Sequence, residues 1–151
     1  MNNEVVGGLG LASATISVVL HATEDIEKVK SSIIKVLCLN SNKFEESDTR
    51  GHWGNEISFI NLNLEHTEAG HLIKRIYAML DKNSKSRLLD SLEESVDDKN
   101  NLHLRIDKQS LCSGKMALSD QDSIKIKFKP FKTFKPSNNS NIYRDLLLSE
   151  Q

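Results

Sequence analysis

Three ammonium groups at two-residue spacing are the most chemically suggestive feature of this 151-residue chain. In Ser123–Lys132, written SIKIKFKPFK, the apolar residues Ile124, Ile126 and Phe128 alternate with Lys125, Lys127 and Lys129, the pattern of a strand with two unlike faces. Same-side positions recur about every 6.6 Å, close to the separation of successive phosphates on a nucleic-acid strand, so the row could hold an anionic backbone. Leu102–Asp107 repeats the alternation and adds Arg105, while Lys108 and Lys115 would extend the patch. Phosphate contacts of this kind add affinity and salt dependence without reading sequence. The same lysines also fit a plainer role, a solvated strand face whose charge keeps edges from pairing, and alternation alone leaves both open. Phe128 should point inward, and only Phe131 and Phe134, past Pro130, could reach out to a ligand. The expected mode is therefore backbone and shape recognition rather than stacking of single-stranded bases.

Other reactive types are present without a reactive pattern. His52 and Trp53 sit in a turn, Arg50–Asn55, where the indole could stack on a base or meet a partner, or simply cap the core. His21 could lie near His52, but two histidines without Cys or a carboxylate set are weak metal ligands. His66 and His71 are five apart, which is wrong for sharing one helical face. Asp107–Lys108 reads as a strand-end turn, and Ser113–Gly114–Lys115 lacks the phosphate-loop pattern. No nucleophile elbow, HExxH or glycine-rich dinucleotide turn occurs. The expectation is a protein that is not an enzyme and uses no metal or cofactor.

Hydrophobic residues at 38 % and charged residues at 27 % describe an ordinary globular domain with one core. The formal net charge of -1 excludes a surface that is basic throughout. Charge is nonetheless segregated: Leu102–Pro136 has eight Lys/Arg against three Asp/Glu, and Asn40–Asn101 has eight against twelve. Folding that preserves this would give a neutral protein one anion-attracting surface. Cys38 and Cys112 match no metal or disulfide framework and read as free buried thiols, which fits a cytoplasmic location. Val5–Leu20 is apolar but lacks the basic start of a signal peptide, and its glycines weaken any spanning helix, so no membrane association is expected.

The elements that must position these groups follow in order. Residues 1–13 form a loose, flexible entry, and Ala14–Ala22 is a first strand. Thr23 caps a helix to about Leu37, with Ile26, Val29, Ile33 and Leu37 as its stripe. Lys43–Thr49 is a modest strand, the glycine turn follows, and Glu56–Glu65 is a strand whose apolar phase shifts between Phe59 and Ile60, suggesting a bulge. Thr67 starts a helix to about Asp81, and Ser84 a shorter one to about Leu92. Strands Leu102–Asp107 and Ser123–Pro130 are joined by a long connection. Beyond residue 132 lies a C-terminal tail, 133–151, in which Ile142–Leu148 is either a short helix or disordered. This order gives a single α+β domain, 14–132, with a mostly antiparallel sheet and helices on one face.

Three pieces in this order, HATED (His21–Asp25), GHWGN (Gly51–Asn55) and LRIDKQ (Leu104–Gln109), resemble an archaeal family of small proteins described as RNA-binding or exosome-associated. The match spans about Ile16–Lys129, and Trp53 and Glu56 stand where the family's turn has Tyr and Pro. The resemblance implies a fold similar to the large-subunit ribosomal protein that binds 5S RNA, and an accessory role in RNA processing, RNA degradation or ribosome assembly. On this reading RNA is the partner, held by Arg105, Lys108, Lys115, Lys125, Lys127 and Lys129 with His52 and Trp53 nearby, and the protein is a monomer or homodimer within an RNA-processing complex. The alternative is a scaffold subunit without RNA contact that docks a partner through an exposed strand or Ile142–Leu148.

Overall fold

The computed structural model of the chain describes residues 11–40, 43–50, 56–131 and 139–148. The strands are β1 (Leu11–His21), β2 (Glu45–Arg50), β3 (Glu56–Glu65), β4 (Leu102–Asp107) and β5 (Ser123–Pro130). The helices are α1 (Ile26–Leu37), α2 (His66–Met79), α3 (Lys82–Asp90), α4 (Leu92–Ser95), α5 (Lys108–Cys112) and α6 (Asn139–Leu148). The strands form one sheet in the order β2-β3-β1-β5-β4, and every neighbouring pair is antiparallel. This is the α+β architecture expected from the alternation of strand and helix patterns.

The pleat sorts the side chains. Ala14, Ile16, Val18 and Leu20 of β1, Ile60, Leu62 and Leu64 of β3, Leu102, Leu104 and Ile106 of β4, and Ile124, Ile126 and Phe128 of β5 are all buried. Cross-strand pairing puts them in rows, such as Leu62 with Ile16, Ile126 and Leu104. Against this face lie Val29, Ile33 and Leu37 of α1 and Ala69, Leu72, Ile73 and Ile76 of α2, each at the spacing that keeps one helical stripe facing the sheet. Each such aliphatic side chain taken out of water contributes about 1.5–3 kcal/mol. The opposite sheet face carries no helix among the described residues, so its alternate positions stay open.

Several local expectations are corrected. Asp25, not Thr23, caps α1, accepting from the Lys28 N–H at 3.1 Å. Glu65 precedes α2 without a side-chain cap bond, and Asp81 caps α3 through Ser84 at 2.7 Å. The phase shift in β3 is not a bulge: its register with β1 runs unbroken from Ile57 to Glu65, and with β2 from Glu56 to Asn61. The strand is apolar on one face at one end and on the other face beyond it. The register irregularity lies instead in β1, between Leu11 and Ser13 opposite β5, where Pro130 can occupy a position needing no ladder N–H. The thiols are free, as read, but Cys38 is exposed and Cys112 only half-buried.

The region expected to be a tail contains α6, and that helix packs into the core. Tyr143, Leu146 and Leu147 are buried. The Tyr143 hydroxyl donates to the Asn100 carbonyl at 2.6 Å and lies 3.4 Å from that of Phe128. Burial pushes the phenol well above its ordinary range, consistent with a group that serves only as a neutral donor. Arg144 donates to the Leu89 carbonyl at 3.0 Å. Replacing Tyr143 by Phe should therefore lower stability by about 1–3 kcal/mol, the usual cost of stranding a buried acceptor. A urea titration in which Tyr143→Phe unfolds at the wild-type midpoint would show that α6 is not held through this contact.

Candidate functional site

The open sheet face is built by register. Opposed residues align in rows across the strands: Glu45, Asn61, Ser17, Lys125 and Arg105 form one, and Asn63, Thr15, Lys127 and His103 the next. Ser13 lies between Glu65 and Lys129 in a third. Lys125, Lys127, Lys129 and Arg105 are all exposed. Among the described residues none of these four side chains is engaged in an ion pair. Four like charges on two adjacent strands, unneutralised, make a positive field at that edge of the sheet.

The face is graded across its width. β5 and β4 are cationic, β1 presents the small hydroxyls Ser13, Thr15 and Ser17, and the far side presents Glu45 and Glu65. Thr15 donates to the Asn63 side-chain carbonyl at 2.9 Å across the β1–β3 seam. Across β1, β5 and β4 lies a depression of about 410 Å³, lined by Thr15, Ser17, His103, Arg105, Lys125 and Lys127 among others. A neighbouring concavity of about 500 Å³ shares His103 and Arg105, but Glu94, Asp97 and Asp120 also line it, and carboxylates oppose an anionic ligand. The first depression, lined by no carboxylate, is the better anion seat.

Lys108 does not extend the patch. It is buried at 2 % exposure, and its ammonium group contacts Glu24 and Asp122, each at 2.8 Å. It also donates to the Val19 carbonyl at 3.2 Å, just past Ser17–Lys125, the last β1–β5 pair. Burial alone would push the amine down; Asp122 and Glu24 outweigh it and hold the ammonium form above its ordinary range. Lys108 thus ties together the end of β1, the entry to α1 and the entry to β5. Its neighbour Asp107 caps α5, accepting from the Ser110 N–H at 2.9 Å and its hydroxyl at 2.7 Å. Glu24 also accepts from the His21 N–H at 2.9 Å, so HATED and LRIDKQ meet in space through one ion pair.

Lys115 is exposed after α5, in the connection whose Ala117 and Ser119 bond to the outer edge of β4. It is not on a sheet row with the other cations. His52 and Trp53 lie outside the described residues. His103, opposite Lys127, is held by Asp97 at 2.8 Å. Partial burial alone would push the Asp97 carboxyl up; the His103 ring, the N–H groups of Asn101 and Lys99 and the Asn101 amide outweigh it and keep it well below the ordinary carboxylate range. The residues that sequence reasoning missed are Thr15, which lines the depression beside Ser17, and Phe59. The unbroken β3 register puts Phe59 outward beside Val19, with exposures of 38 % and 41 %. Reading the phase shift in β3 as a two-faced strand would have found it.

Among the described residues no group of three His, Cys, Asp or Glu is placed to hold a metal ion, and no helix is long and apolar enough to cross a membrane. A family model described as RNA binding matches residues 13–130. The chain is 31 % identical over 146 residues to the uncharacterized protein MJ0213 of Methanocaldococcus jannaschii, covering 93 % of this chain and 97 % of that one. It is 27 % identical over 135 residues to the RNA-binding protein PAB1135 of Pyrococcus abyssi, covering 84 % and 88 %. The crystal structure of protein AF2318 from Archaeoglobus fulgidus superposes with a TM-score of 0.77 at 28 % identity, covering 90 % of this chain and 99 % of that one.

Two outcomes follow from the ionic contacts. Lys108→Met should destabilise the domain by about 2–3 kcal/mol, somewhat less than loss of one partner from a fully buried pair because Asp122 is half-exposed; unchanged urea stability would contradict the structural role. Asp97→Asn should lower the melting temperature near neutral pH. Because the folded carboxyl is depressed, the unfolded state binds more protons, so this advantage is present above the ordinary carboxylate pKa of 3.8 and fades as pH falls below it. A wild-type-to-variant difference that stays constant down to strongly acidic pH would show that the carboxylate contributes nothing through its charge.

Proposed function

The chain belongs to the RNA-binding family whose model spans residues 13–130, and on that premise we propose that it holds RNA on the open face of its sheet. Lys125, Lys127, Lys129 and Arg105 contact phosphates, and the β1 hydroxyls of Ser13, Thr15 and Ser17 lie beneath the chain. The observation that carries this is that those four cations, on a face that no described helix covers, form no ion pair among the described residues. Point charges on a regular pleat match a regular polyanion, and each phosphate neutralised releases counterions. On this reading the protein acts by binding and performs no chemistry on the RNA; PAB1135, to which the chain is similar, is itself named as an RNA-binding protein.

The likeness of HATED, GHWGN and LRIDKQ to the archaeal family supports the finer reading, an accessory role in RNA processing, RNA degradation or ribosome assembly. The scaffold alternative loses one of its two docking elements, because Tyr143, Leu146 and Leu147 of α6 are already buried in the protein's own core.

Charge reversal tests the assignment. Lys125→Glu with Lys127→Glu should abolish RNA retention in a filter-binding assay while leaving the melting temperature near that of the wild type, since both side chains are solvent-exposed. The single Lys127→Ala change should weaken binding and reduce the slope of log affinity against log salt by about one. Equal retention by the wild type and the double variant would place the RNA elsewhere on the molecule.

A further inference from the structure

The outer face carries an aromatic ring where sequence reasoning expected none. Phe59 on β3 stands directly opposite Val19 on β1, and both are among the few large apolar side chains left exposed. Ser47 of β2 is the other cross-strand neighbour of Phe59, a small side chain beside the ring. The Val19–Phe59 row adjoins the row of Ser17 and Lys125. Two strand spacings across and one row along put the Phe59 and Lys125 Cα atoms about 12 Å apart. One nucleotide together with an extended lysine side chain can bridge that span. The ground between them is formed by Ser17 and Val19 of β1 and Asn61 of β3.

Charge sets the orientation. The cations are confined to β4 and β5, whereas Glu45 and Glu65 border the β3 side. A strand of RNA lying on the face must keep its phosphates toward β5 and turn its bases toward β1 and β3. A base so turned meets an apolar row, and every base has a face that can stack on a phenyl ring. A duplex cannot make this contact, because its bases are already stacked and paired. We infer that the strip between the β5 lysines and Phe59 seats an unpaired stretch of RNA, with one base stacked on Phe59 against Val19; this rests on the RNA-binding reading above and narrows its substrate to single-stranded segments.

The test uses the full chain and two labelled probes, a short oligouridine and a blunt RNA duplex, followed by fluorescence anisotropy. Phe59→Ala should weaken oligouridine binding roughly 5- to 150-fold, the range that stacking of one base supplies, and change duplex binding less than twofold. Phe59→Trp should restore oligouridine binding, which separates the loss of a stacking surface from a folding defect. The inference is overturned if Phe59→Ala binds oligouridine as the wild type does, if it loses both probes equally, or if its only effect is to dissociate a dimer. Lys125→Glu/Lys127→Glu separates the two levels: loss of binding in that variant alone, with Phe59→Ala unaffected, removes the stacking site and leaves the phosphate site standing. A wild type that binds neither probe removes both.

Discussion

A pleated strand cannot bury one side chain without turning its neighbours the other way. That parity constrains this molecule more than any single bond. The apolar rows through Ile16, Ile126 and Leu104 must face α1 and α2 to leave water, so the intervening Ser17, Lys125 and Arg105 must face away from them. A one-residue slip of β5 would drive three ammonium groups into the core, where each would carry a large desolvation cost. The cationic strip is therefore fixed by the hydrophobic core and needs no device of its own to hold it.

Parity positions residues across the sheet but does not close its ends. β1 continues to His21 beyond its last pair with β5, Ser17–Lys125. There Lys108 donates to the Val19 carbonyl while neutralising Glu24 and Asp122. At the other end of β5, the hydroxyl of Tyr143 does comparable work for the Asn100 carbonyl and lies near that of Phe128. Both groups are polar, buried and satisfied, the condition under which burial of such groups favours a single arrangement. They brace the two ends of the strands that present the lysines.

Much of this was legible in the chain. The two-residue period of SIKIKFK and LHLRID placed β5, β4 and the faces of Lys125 and Arg105 correctly, because alternation over several residues has one structural solution. The α1 and α2 stripes were legible for the same reason at helical spacing. What was not legible depends on contacts distant in sequence. Lys108 looked like one more exposed cation, and only its approach to Glu24 and Asp122 shows it to be structural. Phe59 was misread because a change of apolar phase signals either a bulge or a strand with both faces partly apolar, and local pattern cannot choose. Tyr143 follows a polar stretch with little apolar content, so nothing local announced that α6 closes the core. Likewise the motifs that carried the family resemblance are partly scaffolding: Glu24 and Asp25 of HATED and Asp107 and Lys108 of LRIDKQ cap helices or pair with each other.

The central claim is that RNA meets the sheet and not the helices. Amide chemical-shift mapping of the isotope-labelled protein, titrated with a short single-stranded RNA, tests it most directly at 17.0 kDa. The shifted amides should cluster at Thr15, Ser17, Phe59, Arg105, Lys125 and Lys127, with those of α1 and α2 unmoved. Shifts centred on the exposed lysines of the helical side, such as Lys28, Lys35 and Lys74, with the open face silent, would contradict it.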